Sequence, residues 1–380
     1  MTTVPVTAED VFQVRKKQEL ANLRSLQATL ATEVAAETAT RSIRDRIELQ
    51  LAARVEQITS QARDCATLRD IVDNAVRPIA GEVQTYLQGV LYRRAGLDNG
   101  TGAVAQWMLN DIADRAGVGP QVLVAFDDAE HIVHTFGMIR MRQQDTTVWR
   151  LPILVHELGH HVAHHLRNPE FGAFDKFPIM RYLENAANND RDLRHLHELF
   201  ADIFATYVLG AAYPTCVLIQ QARGDQDFDD HDDTHPSWPA RVHAMIAALR
   251  AMASIDPKDP TCHAFANLAD REVEPLWSAL NNGGTPTSTG DLARLQQVAA
   301  DVVGLLGKHC PSRLRCDFGP QHQLYKTLTA TPAVTAPDGT TIAHVLDAAW
   351  RWRANNIACD EHLLTVVSNN ALRWCAAATR

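Results

Sequence analysis

Apolar residues recur every three or four positions through the first part of the chain. Two such series follow each other, and most of the positions around them are Gln, Arg, Glu or Thr. They comprise Leu20, Leu23, Leu26, Leu30 and Val34, and then Ile43, Ile47, Leu51, Val55, Ile58 and Ala62. Since this spacing places apolar side chains on one face of a helix, residues 7 to about 95 are predicted to be helical. A helical hairpin that packs on its neighbour is favoured, and a coiled coil that associates with a second copy or a partner is the alternative.

The pattern changes in the middle of the chain. Residues 121–127 (QVLVAFD) form a short apolar run, and residues 134–142 (HTFGMIRMR) partly alternate apolar with polar side chains. Both patterns are typical of β-strands. We therefore expect two adjacent strands before the next helix, with the second strand at an edge of the sheet.

Two helices are predicted after these strands. Pro152 suits the first turn of a helix that runs to about Arg167, because proline lacks the N–H that a first turn does not use. The second helix is predicted from about Asp190 to Leu209, and Gly210 is a natural terminator.

These elements predict an α+β fold that is mostly helical. Its expected parts are an N-terminal helical region (1–100), a core with a small β-sheet (101–250) and a C-terminal helical region (251–380). The C-terminal part has no internal repeat and no catalytic signature, so its expected role is packing or partner binding.

Composition narrows the class of protein. The 380 residues carry a formal net charge of −9, which argues against binding nucleic acid by neutralising its phosphates. The N-terminus has no apolar signal region and no apolar run is long enough to span a membrane, so we expect neither a secretory signal nor a membrane span.

The seven cysteines are scattered, which favours a reducing, cytoplasmic location. Cys310 and Cys316 are too far apart for the usual pair of zinc ligands.

Histidine is concentrated in one part of the chain, where 10 of the 17 lie between positions 156 and 243. The sequence His156-Glu157-Leu158-Gly159-His160 has the form H-E-x-x-H. On a helix, residues four apart share a face, so His156 and His160 can bind one zinc ion. Glu157 is placed to act on a water molecule at that ion as a general base without being a ligand.

The third ligand decides the class of zinc site. In the longer motif H-E-x-x-H-x-x-G-x-x-H, the glycine and the last histidine are replaced here by Ala163 and Leu166, which excludes that class. Glu198 and Asp202 instead lie four apart on the second predicted helix, within an otherwise apolar sequence. Such acids are costly to bury unless they are paired or bind a metal. Glu198 is therefore predicted to be the third ligand, and Asp202 to accept the N–H of a ligand histidine.

Five other acidic or histidine residues lie near the motif in the sequence. Glu170 and Glu184 are the alternative third ligands if Glu198 does not bind the metal. His161, His164 and His165 have the wrong offsets to share the same ion and are interpreted as surface or cleft histidines.

HELGH followed by ELFAD resembles the gluzincin metallopeptidases, whose signature is H-E-x-x-H and then E-x-x-x-D on a second helix. Thr-His-Pro-Ser at 234–237, with a later Arg-Val, is similar to a segment of the prenyl-protein endopeptidase-like branch. The resemblance implies a zincin-like core with two metal-bearing helices and one zinc ion per chain. It makes His235 and Arg241 candidates for stabilising an oxyanion. The chain departs from that branch in lacking a predicted membrane span, and in the acidic segment 224–233, which is interpreted as a solvated loop rather than a calcium site.

Together these features predict a zinc-dependent metalloendopeptidase in which Glu157 is the general base for a metal-activated water. The long helical flanks favour a regulated intracellular protease with a specific protein or peptide substrate. An extended substrate is expected to pair with the exposed edge of the 134–142 strand. The alternative is a catalytically silent, zinc-containing binding or scaffold protein.

Overall fold

A computed structural model describes residues 7–33, 41–118, 123–127, 131–133, 138–142, 147–166, 177–222, 231–255, 260–281, 288–310, 314–319, 321–330 and 335–378. This part of the chain is mostly helical, which confirms that part of the predicted fold class. The α-helices are α1 (Ala8–Glu33), α2 (Arg41–Gln61), α3 (Cys65–Ile71), α4 (Arg77–Arg94), α5 (Thr101–Arg115), α6 (Leu151–His165), α7 (Pro178–Ala186), α8 (Asp190–Leu209), α9 (Ala212–Gln220), α10 (Trp238–Ala253), α11 (Pro260–Leu268), α12 (Glu274–Leu280), α13 (Thr289–His309), α14 (Gln321–Thr327), α15 (Ile342–Asn355) and α16 (Glu361–Ala378). Short π-helical turns, Val72–Val76 and Ala269–Val273, connect α3 to α4 and α11 to α12.

Three strands form one small sheet. They are β1 (Leu123–Asp127), β2 (His131–Val133) and β3 (Met138–Arg142), in the order β1-β3-β2. β3 pairs in parallel with β1 and antiparallel with β2, so the expectation of an edge strand is wrong for residues 138–142. Residues 134–137 lie outside the described residues. The edge strand that contacts α6 is β2, which the sequence pattern does not predict.

β3 lies between two hydrophobic clusters. Met138 packs into the smaller cluster, whose other members lie on the N-terminal helices, whereas Ile139 and Met141 pack into the larger one. Arg140 forms an ion pair with Glu82 of α4. Because successive side chains of a strand point to opposite faces, this strand links the N-terminal helices to the rest of the fold.

The N-terminal helices bury the apolar series that the sequence shows. α1 packs against α2 and α4. Leu23 and Leu30 of α1 lie in the same cluster as Ile47, Leu51 and Ile58 of α2, and all five are buried. Association with a second copy or a partner through these helices stays a prediction.

α6 and α8 lie at the centre of the larger cluster, close to the predicted bounds of the two helices. α8 begins after Asn189, whose side chain accepts a hydrogen bond from the backbone N–H of Asp192, as is typical of a helix N-cap. The larger cluster continues without a break from α6 and α8 into α10, α13 and α15. The predicted region boundaries at 100 and 250 stay predictions.

Within the described ranges, no helix combines the length and the apolar character needed to cross a membrane.

Candidate metal centre

α6 and α8 cross at very short range. A Cβ atom on Gly159 would lie 2.9 Å from Cα of Ala201, closer than two such atoms can approach. The small residues at this point therefore allow the two backbones to come together. As a result, the turns of α6 that carry His156 and His160 face the turn of α8 that carries Glu198.

The three side chains predicted as metal ligands converge at this crossing. Nε2 of His156 is 3.4 Å from Oε2 of Glu198, and Nε2 of His160 is 3.4 Å from Oε1 of the same carboxylate. The two imidazole rings are nearly perpendicular, with centroids 4.9 Å apart. Among the residues that the structure describes, no other group of three His, Cys, Asp or Glu side chains brings its ligand atoms within 4.8 Å of one another.

Asp202 lies behind His156 and is completely buried. Its Oδ1 is 3.0 Å from Nδ1 of His156. Arg241 donates two hydrogen bonds to this carboxylate, from Nε at 2.7 Å and from Nη2 at 2.8 Å. The Tyr213 hydroxyl donates to Oδ1 of Asp202 and lies 3.0 Å from Nδ1 of His156. Three residues from three different helices thus fix one buried carboxylate.

The backbone after α8 places Tyr213 in this network. Gly210 has φ +60°, in the left-handed region that favours glycine, and a Cβ there would lie 2.9 Å from Sγ of Cys316. This turn lets α9 fold back beside α6 and α8. Arg241 comes from α10, which begins after the N-cap residue Ser237.

The positive and negative side chains of the cluster stabilise each other's charged forms. Burial alone would lower the pKa of His156, but hydrogen bonds with Asp202 and Glu198 outweigh it and raise the pKa to about 10. Burial would raise the pKa of Glu198, but the histidines and Arg241 lower it to about 2. The pKa of Asp202 is held below its ordinary value against burial, chiefly by Arg241, whose own pKa is raised by Asp202. A cation that binds here therefore displaces a proton from His156.

An open cavity of about 510 Å³ leads to the cluster. Glu157 lines this cavity together with the three converging side chains. Ile153 is the only aliphatic residue among the described lining residues, so the walls offer mainly hydrogen-bonding and charged groups. A reactant that enters the cavity meets the clustered ligands and Glu157 together.

His235 lies at the mouth of this cavity, on the turn before α10. Its side chain is 52% exposed, and its Nδ1 is 3.2 Å from Oδ2 of Asp232. Asp232 also accepts hydrogen bonds from the backbone N–H groups of Thr234 and His235, which lower the pKa of the carboxyl. Asp232 thus closes the turn by hydrogen bonds within it, and the imidazole of His235 borders the cavity.

α8 holds this turn through main-chain carbonyls. Nη2 of Arg191 is 3.2 Å from the carbonyl oxygen of Asp232. Nε of Arg194 donates to the carbonyl oxygen of Asp233 at 2.8 Å, and Nε2 of His195 lies 2.9 Å from the Asp232 oxygen. The rim of the cavity is therefore attached to the helix that carries Glu198.

The remaining candidate residue, Arg241, and the histidines near the motif have different surroundings. Arg241 lines the cavity, but its guanidinium is bound by Asp202 and lies 4.6 Å from the ring centre of Trp238. The interpretation of His161 as a surface or cleft residue is wrong, because its side chain is completely buried with its ring stacked 4.0 Å from that of His165. His164 lines the cavity.

The alternative sites found in the sequence are less well supported. Glu184 is exposed on α7 and is not part of the cluster, and Glu170 lies outside the described residues. Residues 224–230 of the acidic segment also lie outside them. The seven cysteines all lie in the described part of the chain, and none of them forms a disulfide.

Tyr213 is the residue of the site that sequence reasoning missed. It lies in the apolar segment AAYPTCVLI, and its role depends on the fold-back after Gly210 rather than on any motif spacing. No signal in the sequence distinguishes it from a buried core tyrosine.

Comparison with protein-family models, with curated proteins and with solved structures finds no match to this chain.

Proposed function

We propose that this protein is a zinc-dependent metalloendopeptidase. The observation that carries the proposal is the convergence of His156, His160 and Glu198 at an open cavity that Glu157 also lines. Two imidazoles and a carboxylate form a donor set of catalytic zinc sites, which keep one coordination position for water or substrate. A purely structural site is instead closed by four protein ligands.

The distances between the donor atoms fit zinc. Two ligands of a tetrahedral ion with bonds of about 2.0–2.1 Å lie about 3.3–3.4 Å apart. Nε2 of His156 lies 3.4 Å from Oε2 of Glu198, and Nε2 of His160 lies 3.4 Å from Oε1 of the same side chain. Asp202 in turn lies at the second nitrogen of His156, where a carboxylate fixes the ring orientation of a metal-binding histidine.

The residues nearest the cluster then have distinct chemical tasks. His156, His160 and Glu198 would hold the zinc ion, which would supply a Lewis acid that polarises the scissile carbonyl and increases the acidity of water. Glu157 accepts a proton from the attacking water as the water oxygen bonds to the carbonyl carbon, and transfers this proton to the departing amine. His235 donates a hydrogen bond to the developing oxyanion from the mouth of the cavity.

Arg241 has a different task in this proposal. Because its guanidinium is bound on two points by Asp202, it positions Asp202 and through it His156. Contact with the oxyanion is the second candidate role for this residue, since Arg241 also lines the cavity.

The substrate is proposed to be a protein or peptide in extended conformation. Such a chain can pair with β2, the edge strand next to α6, by adding a strand to the sheet. The resemblance of HELGH and ELFAD to gluzincins supports a gluzincin-type mechanism. The long helical flanks favour a regulated, substrate-specific protease, and the scattered cysteines favour a location inside the cell.

Metal analysis paired with a cleavage assay tests the proposal. The purified chain should bind one zinc ion, and Glu157→Gln should keep the metal but lose peptide hydrolysis. Glu198→Ala should lose the metal, whereas Glu184→Ala, the matched exposed glutamate on α7, should keep it. A chain that binds no zinc would refute the proposal. Zinc binding with no hydrolysis of any peptide or lysate protein would favour the zinc-containing scaffold instead.

A further inference from the structure

One end of the cavity carries basic and imidazole side chains that the proposed chemistry does not use. His164, His197 and Arg194 all line it beyond the metal ligands. The two imidazole rings are stacked, with centroids 5.2 Å apart and an angle of 21° between their planes. This end is distinct from the network behind His156.

These three residues come from the same two helices as the ligands. His164 is one turn after His160 on α6, and Arg194 is one turn before Glu198 on α8. A helical turn advances about 5.4 Å, so His164 and Arg194 lie about one turn along the cavity from the ligands on their helices. His197 directly precedes Glu198, and its ring is stacked on that of His164.

Arg194 brings a positive charge to this end of the cavity. Its Nε donates to the carbonyl oxygen of Asp233, which orients the guanidinium without neutralising it. Within the described ranges, no carboxylate forms an ion pair with Arg194. Arg241, the other arginine of the cavity, is instead neutralised by Asp202.

The acidic residues of the lining have other tasks. Glu157 and Glu198 are its only carboxylates among the described residues, and they serve as the proposed base and metal ligand. A carboxylate is the group that an arginine fork and imidazole N–H donors recognise together, through short, charge-assisted hydrogen bonds.

We propose that Arg194, His164 and His197 form a subsite for a carboxylate of the peptide substrate. This rests on the proposed function. A distance of about 5.4 Å corresponds to one or two residues of an extended chain, which advances about 3.3 Å per residue. The carboxylate therefore lies within two residues of the scissile bond. It comes either from an Asp or Glu side chain or from the C-terminus of a short substrate.

A cleavage assay with matched peptides tests this subsite. One peptide series has Asp or Glu within two residues of the scissile bond, and the second has Asn or Gln at the same positions. A third has only neutral side chains and a C-terminus that is free or amidated. The zinc-loaded wild-type chain should cleave the acidic or free-terminus peptides with a kcat/KM at least tenfold above their neutral counterparts. If the larger ratio of kcat/KM separates the acidic from the amide side chains, then the carboxylate is a side chain. If it separates the free from the amidated terminus, then the carboxylate is the C-terminus.

Substitutions of Arg194 test which residue carries the preference. Arg194→Ala should abolish the tenfold ratio by lowering kcat/KM far more for the acidic or free-terminus peptides than for the neutral ones. A smaller loss on both series is expected in Arg191→Ala as well, because both arginines hold the turn that carries His235. Arg194→Glu should favour peptides with Lys at the same position, and Arg194→Lys should restore part of the acidic preference. Arg191→Ala is the matched control, since Arg191 holds the same turn but does not line this cavity.

Three outcomes would overturn the subsite. They are equal cleavage of acidic and neutral peptides by the wild type, an equal loss on both series in Arg194→Ala, and the same loss of preference in Arg191→Ala. The first outcome would show that the enzyme has no preference for a carboxylate, and the second that Arg194 does not cause the preference. The third would show that the preference depends on the turn that both arginines hold, rather than on a contact between Arg194 and the substrate. All three are measured on an active enzyme, so they differ from a failure of the proposed function, in which no peptide is cleaved.

Discussion

Asp202 on α8 and Asp347 on α15 are both almost completely buried, at 0% and 2% exposure, but they have very different surroundings. Asp202 is contacted by donors from Arg241, Tyr213 and His156. These partners keep its pKa below the ordinary value although burial acts to raise it.

Asp347 has no comparable set of donors. Its two oxygens accept no hydrogen bond from the described residues, and the nearest guanidinium nitrogen, on Arg351, is 3.7 Å away. Arg351 donates instead to Glu272. Burial therefore raises the pKa of Asp347 to about 7, with Arg351 only partly opposing it.

The difference shows that burial alone does not decide whether an acid is charged. The number and geometry of the donors decide it. At the candidate metal centre the donors hold the pKa of Asp202 below its ordinary value and fix its orientation, as expected for the partner of a metal-binding histidine. At α15 burial raises the pKa of the carboxyl to about 7, so its protonation makes the stability of the fold depend on pH.

The largest expected effect comes from breaking the Asp202 network. Arg241→Ala leaves Asp202 charged and buried without its main partner, and we expect the free energy of unfolding to fall by about 3–5 kcal/mol. Arg250→Ala on the exposed side of α10 removes only partly exposed ion pairs and should cost less than about 1 kcal/mol. Urea unfolding of both variants measures this difference. Equal small losses would mean that Arg241 does not compensate Asp202.

The second effect is a pH dependence that originates at Asp347. Because its folded pKa is about 7 against an ordinary value of 3.8, the folded state binds more protons than the unfolded state between these values. Stability therefore falls as pH rises through this window, by up to about 4 kcal/mol at about 1.4 kcal/mol per unit, and is constant above it. Asp347→Asn should remove this slope in urea unfolding between pH 5 and 8. Asp338→Asn, an exposed aspartate before α15, should keep it.

The sequence predicts one of these two aspartates and not the other. Asp202 follows from its four-residue spacing to Glu198 within an apolar helix, which is a local pattern. Asp347 lies in an ordinary helix sequence, AHVLDAAW, and its burial arises from packing between helices that are distant in the chain. Tyr213 was missed for the same reason.

The fold shows the same limit. The helices follow from apolar spacing and from residues such as Pro152 and Gly210, which act locally. The central position of β3 depends instead on pairing with β2, a three-residue strand too short to give a pattern of its own. Motifs and long helices are therefore predictable here, whereas contacts between distant segments are not.

A third prediction concerns the close crossing that brings Asp202 to His156. Gly159→Ala forces α6 and α8 apart, because the new Cβ would lie 2.9 Å from Cα of Ala201. We expect a loss of about 1–3 kcal/mol in stability and weaker zinc binding, as the ligands on the two helices separate. Gly304→Ala is the control, since a Cβ at this glycine inside α13 meets nothing within 4 Å. It should stabilise the chain by up to about 1 kcal/mol. Wild-type zinc affinity in Gly159→Ala would show that the crossing does not position the ligands.

The smallest expected effect distinguishes the two kinds of partner that Asp202 has. Tyr213→Phe removes one hydroxyl and leaves the two hydrogen bonds of Arg241 in place, so we expect a loss of only about 1 kcal/mol in stability. The zinc affinity should nevertheless fall by about tenfold, because the hydroxyl contacts both Asp202 and Nδ1 of His156. Tyr207→Phe, another buried tyrosine but with no place in this network, should leave zinc affinity unchanged. Calorimetric zinc titration of the two variants measures this. If Tyr213→Phe binds zinc as tightly as Tyr207→Phe, then Arg241 alone orients Asp202, and Tyr213 contributes to packing only.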